Sequence, residues 1–246
     1  MYSFPNNIDY HRQVASYFMK DDHDTWMNDA FPLMDTKFMG EFTYEQGTQI
    51  FLDEVPMGDK TYRTIRWGKD LQIWLVEGRD YRSSNTDPDG PEKTIWGKEQ
   101  IAWFKSTVEA SDATYKILMS PTPVVGPDRV GNKSDNHANV AFTFEGAMLR
   151  KYLSEQNMVV VSGDRHWQYA SKDLETGLLE FNSGPGGNGH AGGWDQDNVL
   201  PEHIYLNVVG GFLEGAVEKT DGTPRLKFRY YDPEGKLLYE YIVDTE

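Results

Sequence analysis

The sequence predicts a layered α/β fold, and three observations carry that prediction. The first is Met158–Val161, consecutive apolar residues without alternation that stop at Gly163-Asp164-Arg165-His166. Such a run suits a strand covered on both faces, as in the middle of a layered sheet. The second is a pair of helix signals, Gly97–Ala110 and Phe142–Glu155, each running into an apolar strand signal, which gives two successive strand-helix-strand steps and a parallel or mixed sheet. The third is a tail of strand signals punctuated by Asp221-Gly222 and Asp232–Gly235, which reads as an antiparallel meander that completes a second sheet or covers the first.

From the N-terminus, Pro5, Asn6 and Asn7 make a break, and Ile8 to Met19 reads as a short helix running into an apolar stretch. The chain then meets Asp21, Asp22, His23, Asp24, Asn28 and Asp29. Carboxylates this close repel one another, and a bound cation is a physical reason to tolerate them. A solvated acidic loop that caps a helix is the plainer alternative. Residues 31–60 hold short elements around a helical piece near Tyr44 to Asp53. Tyr62 to Trp67 and Leu71 to Glu77 read as strands joined by the turn Gly68-Lys69-Asp70. Beyond the second strand, the guanidinium of Arg79 or Arg82 can clamp a phosphate through paired hydrogen bonds, or pair with one of the abundant carboxylates.

Ser83 to Lys93 is a loop. In the helix that follows, Ile101, Phe104 and Val108 share an apolar face, and the helix leads to a strand at Tyr115–Met119. Pro121 and Pro123 open a long polar loop that runs through residue 139. Loops of that length after a strand are often functional, so Asn136 and His137 are second-tier site candidates, with a surface His at a helix start as the alternative. In open α/β sheets ligands bind beyond the carboxyl ends of the strands, which puts Asp164 and His166 where a metal or phosphate site is built. Gly163 would let the chain turn there and approach a ligand closely. Trp167–Ser171 and Leu178–Asn182 read as a hairpin across Glu175-Thr176-Gly177. The glycine-dense loop of residues 184–195 carries His190, a further second-tier candidate. That loop lacks the spacing and the following helix of a nucleotide-binding fingerprint. Ile204–Phe212, Gly215–Glu218, Leu226–Tyr231 and Leu237–Val243 are the strand signals of the tail. With no tandem repeat and no low-complexity linker, residues 1–246 read as a single domain.

A formal charge of −15 argues against a nucleic-acid partner, because such a surface repels phosphate backbones on average. The chain has no Cys, which excludes disulfides, thiolate zinc sites and a Cys nucleophile, so any metal must be held by Asp, His, Asn and similar groups. No apolar run approaches the roughly 20 residues that span a bilayer. Met1 is followed at once by polar residues, with no apolar core of a signal peptide.

The blocks YFMKDDHDTWMND, TYRTIRWG, LVEGRDYRS, TIWGKEQIAWFKSTVEAS, MSPTPVVGPDR and VSGDRHWQY, in that order, resemble the PhoD-like alkaline phosphatase and phosphodiesterase family of metallophosphatases. The resemblance implies a metallophosphoesterase-like sandwich of two mixed β-sheets flanked by helices. It also implies hydrolysis of small phosphate mono- or diesters at a centre of two or more divalent or trivalent metal ions, with calcium and iron implicated, and a periplasmic or secreted setting. Residue by residue, it implies Asp22, Asn28, Asp164 and His166 as metal ligands. His23 beside Asp22 would face the phosphate or protonate the leaving oxygen, and Arg79 is the analogue of an Arg that follows the family's central strand. Attack on phosphorus would come from a metal-bound hydroxide. The family also draws ligands from an upstream Asp and a Gly-Asp motif. The expectation is therefore that this chain corresponds to the C-terminal portion of such a domain and lacks its leading strands. Two other readings compete. One is a non-catalytic ligand- or carbohydrate-binding remnant; the other is a two-carboxylate glycosidase, which gives no reason for His to recur beside the acids.

Overall fold

A computed structural model describes residues 5–34, 39–129 and 135–243 of the chain. The apolar run at Met158 is the central strand of a seven-stranded sheet. β1 (Arg63–Trp67) and β2 (Leu71–Leu75) form an antiparallel hairpin, turned at Gly68 with a φ of 64°. β2 runs parallel to β3 (Tyr115–Ser120), and β3 parallel to β4 (Met158–Ser162). The crossovers are made by α4 (Gly97–Glu109) and α5 (Thr143–Glu155). β5 (Gln168–Lys172) and β6 (Leu179–Ser183) form the expected hairpin. β6 also extends the parallel part beside β4, and β7 (His203–Asn207) closes the edge against β5. The order is β1-β2-β3-β4-β6-β5-β7. β8 (Phe212–Thr220), β9 (Thr223–Tyr231) and β10 (Leu237–Val243) form a separate antiparallel sheet.

Two-residue periodicity sorts the central strands' side chains to two faces, and both faces are covered, so β3 and β4 read as nearly continuous apolar runs. Trp74, Leu118 and Val160 meet Phe104, Val108, Leu149 and Leu153 of the two crossover helices. Ile117, Val159 and Phe181 meet Leu226, Phe228 and Tyr230 of the second sheet, where Phe181 stacks on Phe228 with ring centroids 4.1 Å apart. Each such side chain taken fully out of water contributes about 1.5–3 kcal/mol. The layers are thus helix, seven-stranded sheet and three-stranded sheet. The outer face of the last carries an ion network, with Arg229 bridging Glu214, Glu218 and Glu240 across all three strands.

Two elements differ from the sequence reading. Helix α1 (Pro5–Gln13) ends well before Met19, and residues 14–21 form no regular element. Tyr17 and Met19 instead lie along Ile65, Ile73, Leu75 and Met119, lining an apolar groove of about 230 Å³. The tail's first strand signal splits between the sheets: β7 joins the large one and Phe212 begins the small one. The switch falls at Gly210-Gly211, where a Cβ on Gly211 would lie 1.8 Å from the Tyr231 carbonyl oxygen. None of the described helices is long and apolar enough to cross a membrane.

Candidate active site

Three loops leave the sheet at the carboxyl ends of β2, β3 and β4, and a buried charged cluster joins them. The loop after β2 begins with Glu77, whose carboxylate accepts the amides of Arg79 (2.6 Å) and Asp80 (2.8 Å) and so sets the turn. Burial pushes the Glu77 carboxyl up to about 7, with the adjacent Lys20 ammonium opposing the shift. Lys20 is itself buried, 3.4 Å from Glu77 and 2.6 Å from Asp80, and donates to Thr25 Oγ1 at 2.8 Å. Asp80 also accepts the hydroxyls of Tyr44 (2.9 Å) and Thr61 (2.8 Å). This network fastens the N-terminal acidic turn to the end of β2.

That turn is the short helix α2 (Asp22–Thr25) with its flanks. Asp22 is buried and staples it: Oδ1 accepts the His23 amide and Oδ2 the Asp29 amide, both at 2.8 Å. Trp26 packs edge-on against Tyr44 of α3 (Tyr44–Glu54), and Gly47 brings α3 against the turn so closely that a Cβ there would stand 2.0 Å from the Thr25 carbonyl oxygen. Gly47→Ala is therefore expected to lower stability by about 1–3 kcal/mol, the cost of overpacking a filled contact, read as a lower urea midpoint at unchanged slope.

Arg79 joins this turn to the rest. Fully buried, it donates from Nε to Asp21 Oδ1 at 2.5 Å, and its Nη2 stands 3.9 Å from Asp22 Oδ2. Arg82, 5% exposed, donates from Nη2 to Asn85 Oδ1 and the Asp135 carbonyl oxygen. Burial, with Arg79 adding like charge, pushes the Arg82 guanidinium down to about 10. Arg79 Nη1 and Nη2 and Arg82 Nε and Nη1 are buried without a hydrogen-bond partner among the described residues.

At the end of β4, Asp164 takes a left-handed φ of 65° and Arg165 turns inward. Arg165 donates to Asp164 Oδ2 (2.5 Å), Asp128 Oδ2 (2.8 Å) and Asp135 Oδ1 (3.2 Å). Asn136, fully buried, donates to Asp128 (2.7 Å) and Asp135 (3.2 Å), so the loop after β3 is tied to β4 through one guanidinium. Burial raises the Asp164 carboxyl to about 6; Arg165 opposes the shift, and the Asp21 and Asp135 charges add to it. Asp21, Arg79, Asp135, Asp164 and Arg165 thus share one electrostatic neighbourhood.

Of the residues singled out from the sequence, Asp22, Arg79, Asn136 and Asp164 belong to this cluster or touch it. His23 and Asn28 are exposed on the acidic turn. His166 is exposed just past β4, its ring 6.3 Å from that of His190, which is also exposed. His137 is not a surface residue: it is 1% exposed, faces Trp96 and pairs with the buried Glu145 of α5 at 3.2 Å. Glu145 also accepts from Thr94, which makes the His137 pair a tie between loop and helix. Gly163 approaches protein rather than an open site, since a Cβ there would lie 2.9 Å from the Pro121 carbonyl oxygen. The sequence does not single out Asp128, Asp135 and Arg165, because the bonds that join Arg165 to Asp128 and Asp135 span 37 and 30 positions. Arg165, a charge at the end of an apolar strand, was the available signal.

Among the described residues, no group of three or more His, Asp and Glu side chains is placed to hold a metal ion. The reason is visible in the donors: both Asp22 oxygens face backbone amides, Asp21 is held by Arg79, and Asp164 by Arg165. These residues do not by themselves fit the centre of two or more metals that the family resemblance implies.

The family model described as PhoD-like phosphatase matches residues 4–197. A solved structure of PhoD is similar in fold, with a TM-score of 0.70 and 19% identity over 90% of this chain; the chain spans about half of it, 51%. A structure of GAP50, described as the anchor in the inner membrane complex of Plasmodium, is similar at a TM-score of 0.52 and 12% identity, covering 76% of this chain and 56% of its own. No curated protein matches the chain.

Proposed function

The chain belongs to the PhoD-like phosphatase family, and on that premise we propose that it hydrolyses small phosphate esters at the carboxyl edge of the seven-stranded sheet. One observation supports the reading most. The acidic turn, the loop after β2 and the end of β4, three of the blocks through which the sequence resembles that family, come together: Asp21 pairs with Arg79, and the charges of both act on the Asp164 carboxyl.

In the hydrolysis a water oxygen bonds to phosphorus, the ester P–O bond breaks, and the leaving oxygen takes a proton. Asp164, whose carboxyl is raised to about 6 by partial burial, is suited to orient the attacking water and accept its proton near neutral pH. His23, exposed on α2, would supply the proton to the leaving oxygen. A bound cation, calcium or iron by the family resemblance, is part of this proposal. It would need donors beyond the described residues, since among these no third acidic or His donor is grouped with Asp164 and His166, and the Asp164 carboxylate is held by Arg165.

The test is turnover of p-nitrophenyl phosphate and of its bis ester by the purified chain, before and after EDTA treatment and with calcium or iron restored. The expected result is hydrolysis that EDTA removes and one of the two metals returns. No turnover of either ester under any of these conditions would sink the hydrolase reading and leave a ligand-binding module in its place.

A further inference from the structure

The hydrolase reading leaves unexplained why two guanidinium groups are buried together with open donors. A buried polar group without a partner is costly, and a charged one more so. Arg165 is the contrasting case in this fold: both its Nη atoms are hydrogen-bonded to carboxylates, and its Nε, although without a hydrogen-bond partner among the described residues, stands 2.8 Å from Asp128 Oδ1. Arg79 has only its Nε engaged, by Asp21, while Nη1 and Nη2 have no hydrogen-bond partner among the described residues. The nearby Asp22 Oδ2 is 3.9 Å from Nη2, too far to bond, and that oxygen already accepts the Asp29 amide. Arg82 is the mirror case, engaged at Nη2 and open at Nε and Nη1.

Both groups are oriented from behind. Asp21 fixes Arg79 through Nε and leaves its two Nη atoms buried and unpaired among the described residues. The Arg82 guanidinium lies 5.1 Å from the centre of the Phe142 ring, which Lys93 Nζ approaches at 4.3 Å. Like charges so placed, on residues three apart in one loop, are better tolerated when an anion lies between them. We infer that Arg79 and Arg82 form a socket for a tetrahedral oxyanion, the phosphoryl group of a bound ester or the inorganic phosphate it releases. A planar fork with paired N–H donors matches two oxygens of such a group, which a lysine cannot do. The inference rests on the hydrolase reading only for the identity of the oxyanion.

The test is calorimetric titration of inorganic phosphate into the full chain in chloride buffer, for the native protein and for Arg79→Gln, Arg79→Lys, Arg82→Gln and the exposed-surface control Arg12→Gln. The native protein and the control are expected to bind phosphate equally. Arg82→Gln and Arg79→Lys should each weaken binding about tenfold or more, as for loss of charge-assisted hydrogen bonds, and Arg79→Gln should abolish it. Circular dichroism checks each fold; if Arg79→Gln does not fold, Arg82→Gln decides, because its orienting contacts lie outside the Asp21 link. Absence of phosphate binding by the native protein, or a folded Arg82→Gln variant that binds within about twofold of it, overturns the socket. Ester assays separate the two readings. Arginine-dependent phosphate binding without turnover keeps the socket and drops the hydrolase, whereas turnover with KM unchanged in Arg82→Gln keeps the hydrolase and drops the socket.

Discussion

Asp164→Asn is expected to lower ester turnover by a factor on the order of 10² to 10⁴, the range for a positioned acid-base group, and at the same time to make the fold more stable at pH 8. Asn suits the left-handed φ of 65° as well as Asp does, so the backbone accepts the exchange. Arg165 keeps Asp128 and Asp135 as partners. What changes is the charge. In the unfolded chain this carboxyl titrates near 3.8, and in the fold burial raises it to about 6. The proton that the folded state binds more tightly stabilises it fully below about 3.8, and that contribution is lost as the pH rises through about 6. At pH 8 the ionised carboxylate therefore weakens the fold, by an amount on the order of 2 kcal/mol after allowing for its partial exposure. Urea midpoints of the variant should lie above those of the native protein at pH 8 and converge with them toward pH 4. Parallel midpoints across that range would contradict the electrostatic account, and undiminished turnover would remove Asp164 from the chemistry.

How much of this was legible in the sequence follows from the range of the interactions concerned. The unbroken apolar run at Met158–Val161 marks a strand covered on both faces, and β4 sits mid-sheet between β3 and β6. The helix signals at Gly97 and Phe142 depend on neighbours three and four residues apart, and α4 and α5 fall within a residue of them. The Asp221-Gly222 turn is equally local, and it joins β8 to β9. Residues 14–21 show where such reasoning stops: Tyr17 and Met19 lie along the face of β1–β3, Phe18 packs against Phe51, Val55 and Met57, and Lys20 is drawn to Glu77 and Asp80, so no helix continues. The site divides in the same way. Asp164 was legible because strand ends point to it, whereas the Asp128–Arg165 and Asp21–Arg79 pairs join residues 37 and 58 positions apart, and no periodicity announces them. The burial of His137, against the surface alternative, is illegible for a related reason: only the tertiary contact with Glu145 decides it.

Glu180→Ala is expected to cost about 4 kcal/mol of stability, a large share of the 5–15 kcal/mol typical of a folded domain. Glu180 lies on β6 in register with Val160 and is wholly buried. Its Oε2 accepts the amides of Val124 (2.7 Å) and Val125 (2.8 Å), and its Oε1 accepts the Gly126 amide (3.2 Å) and the Tyr169 hydroxyl (2.5 Å). Burial raises its carboxyl above the ordinary range, and these same donors hold the rise back. Alanine would leave three backbone amides and a phenol without an acceptor in a space closed to solvent, at about 1–3 kcal/mol for each group that finds no substitute. Gln should recover part of the loss, because it restores one acceptor oxygen but turns an NH₂ toward the remaining donors. The damage should reach the site as well. The amides held by Glu180 belong to the loop that carries Asp128, and Asp128 holds Arg165 beside Asp164. At a temperature where the Ala variant is still folded, its turnover should therefore fall although Glu180 touches none of the candidate catalytic groups. A Glu180→Ala protein within about 1 kcal/mol of the native one in urea would mean that the loop finds other acceptors, and that the site does not depend on this strand for its shape.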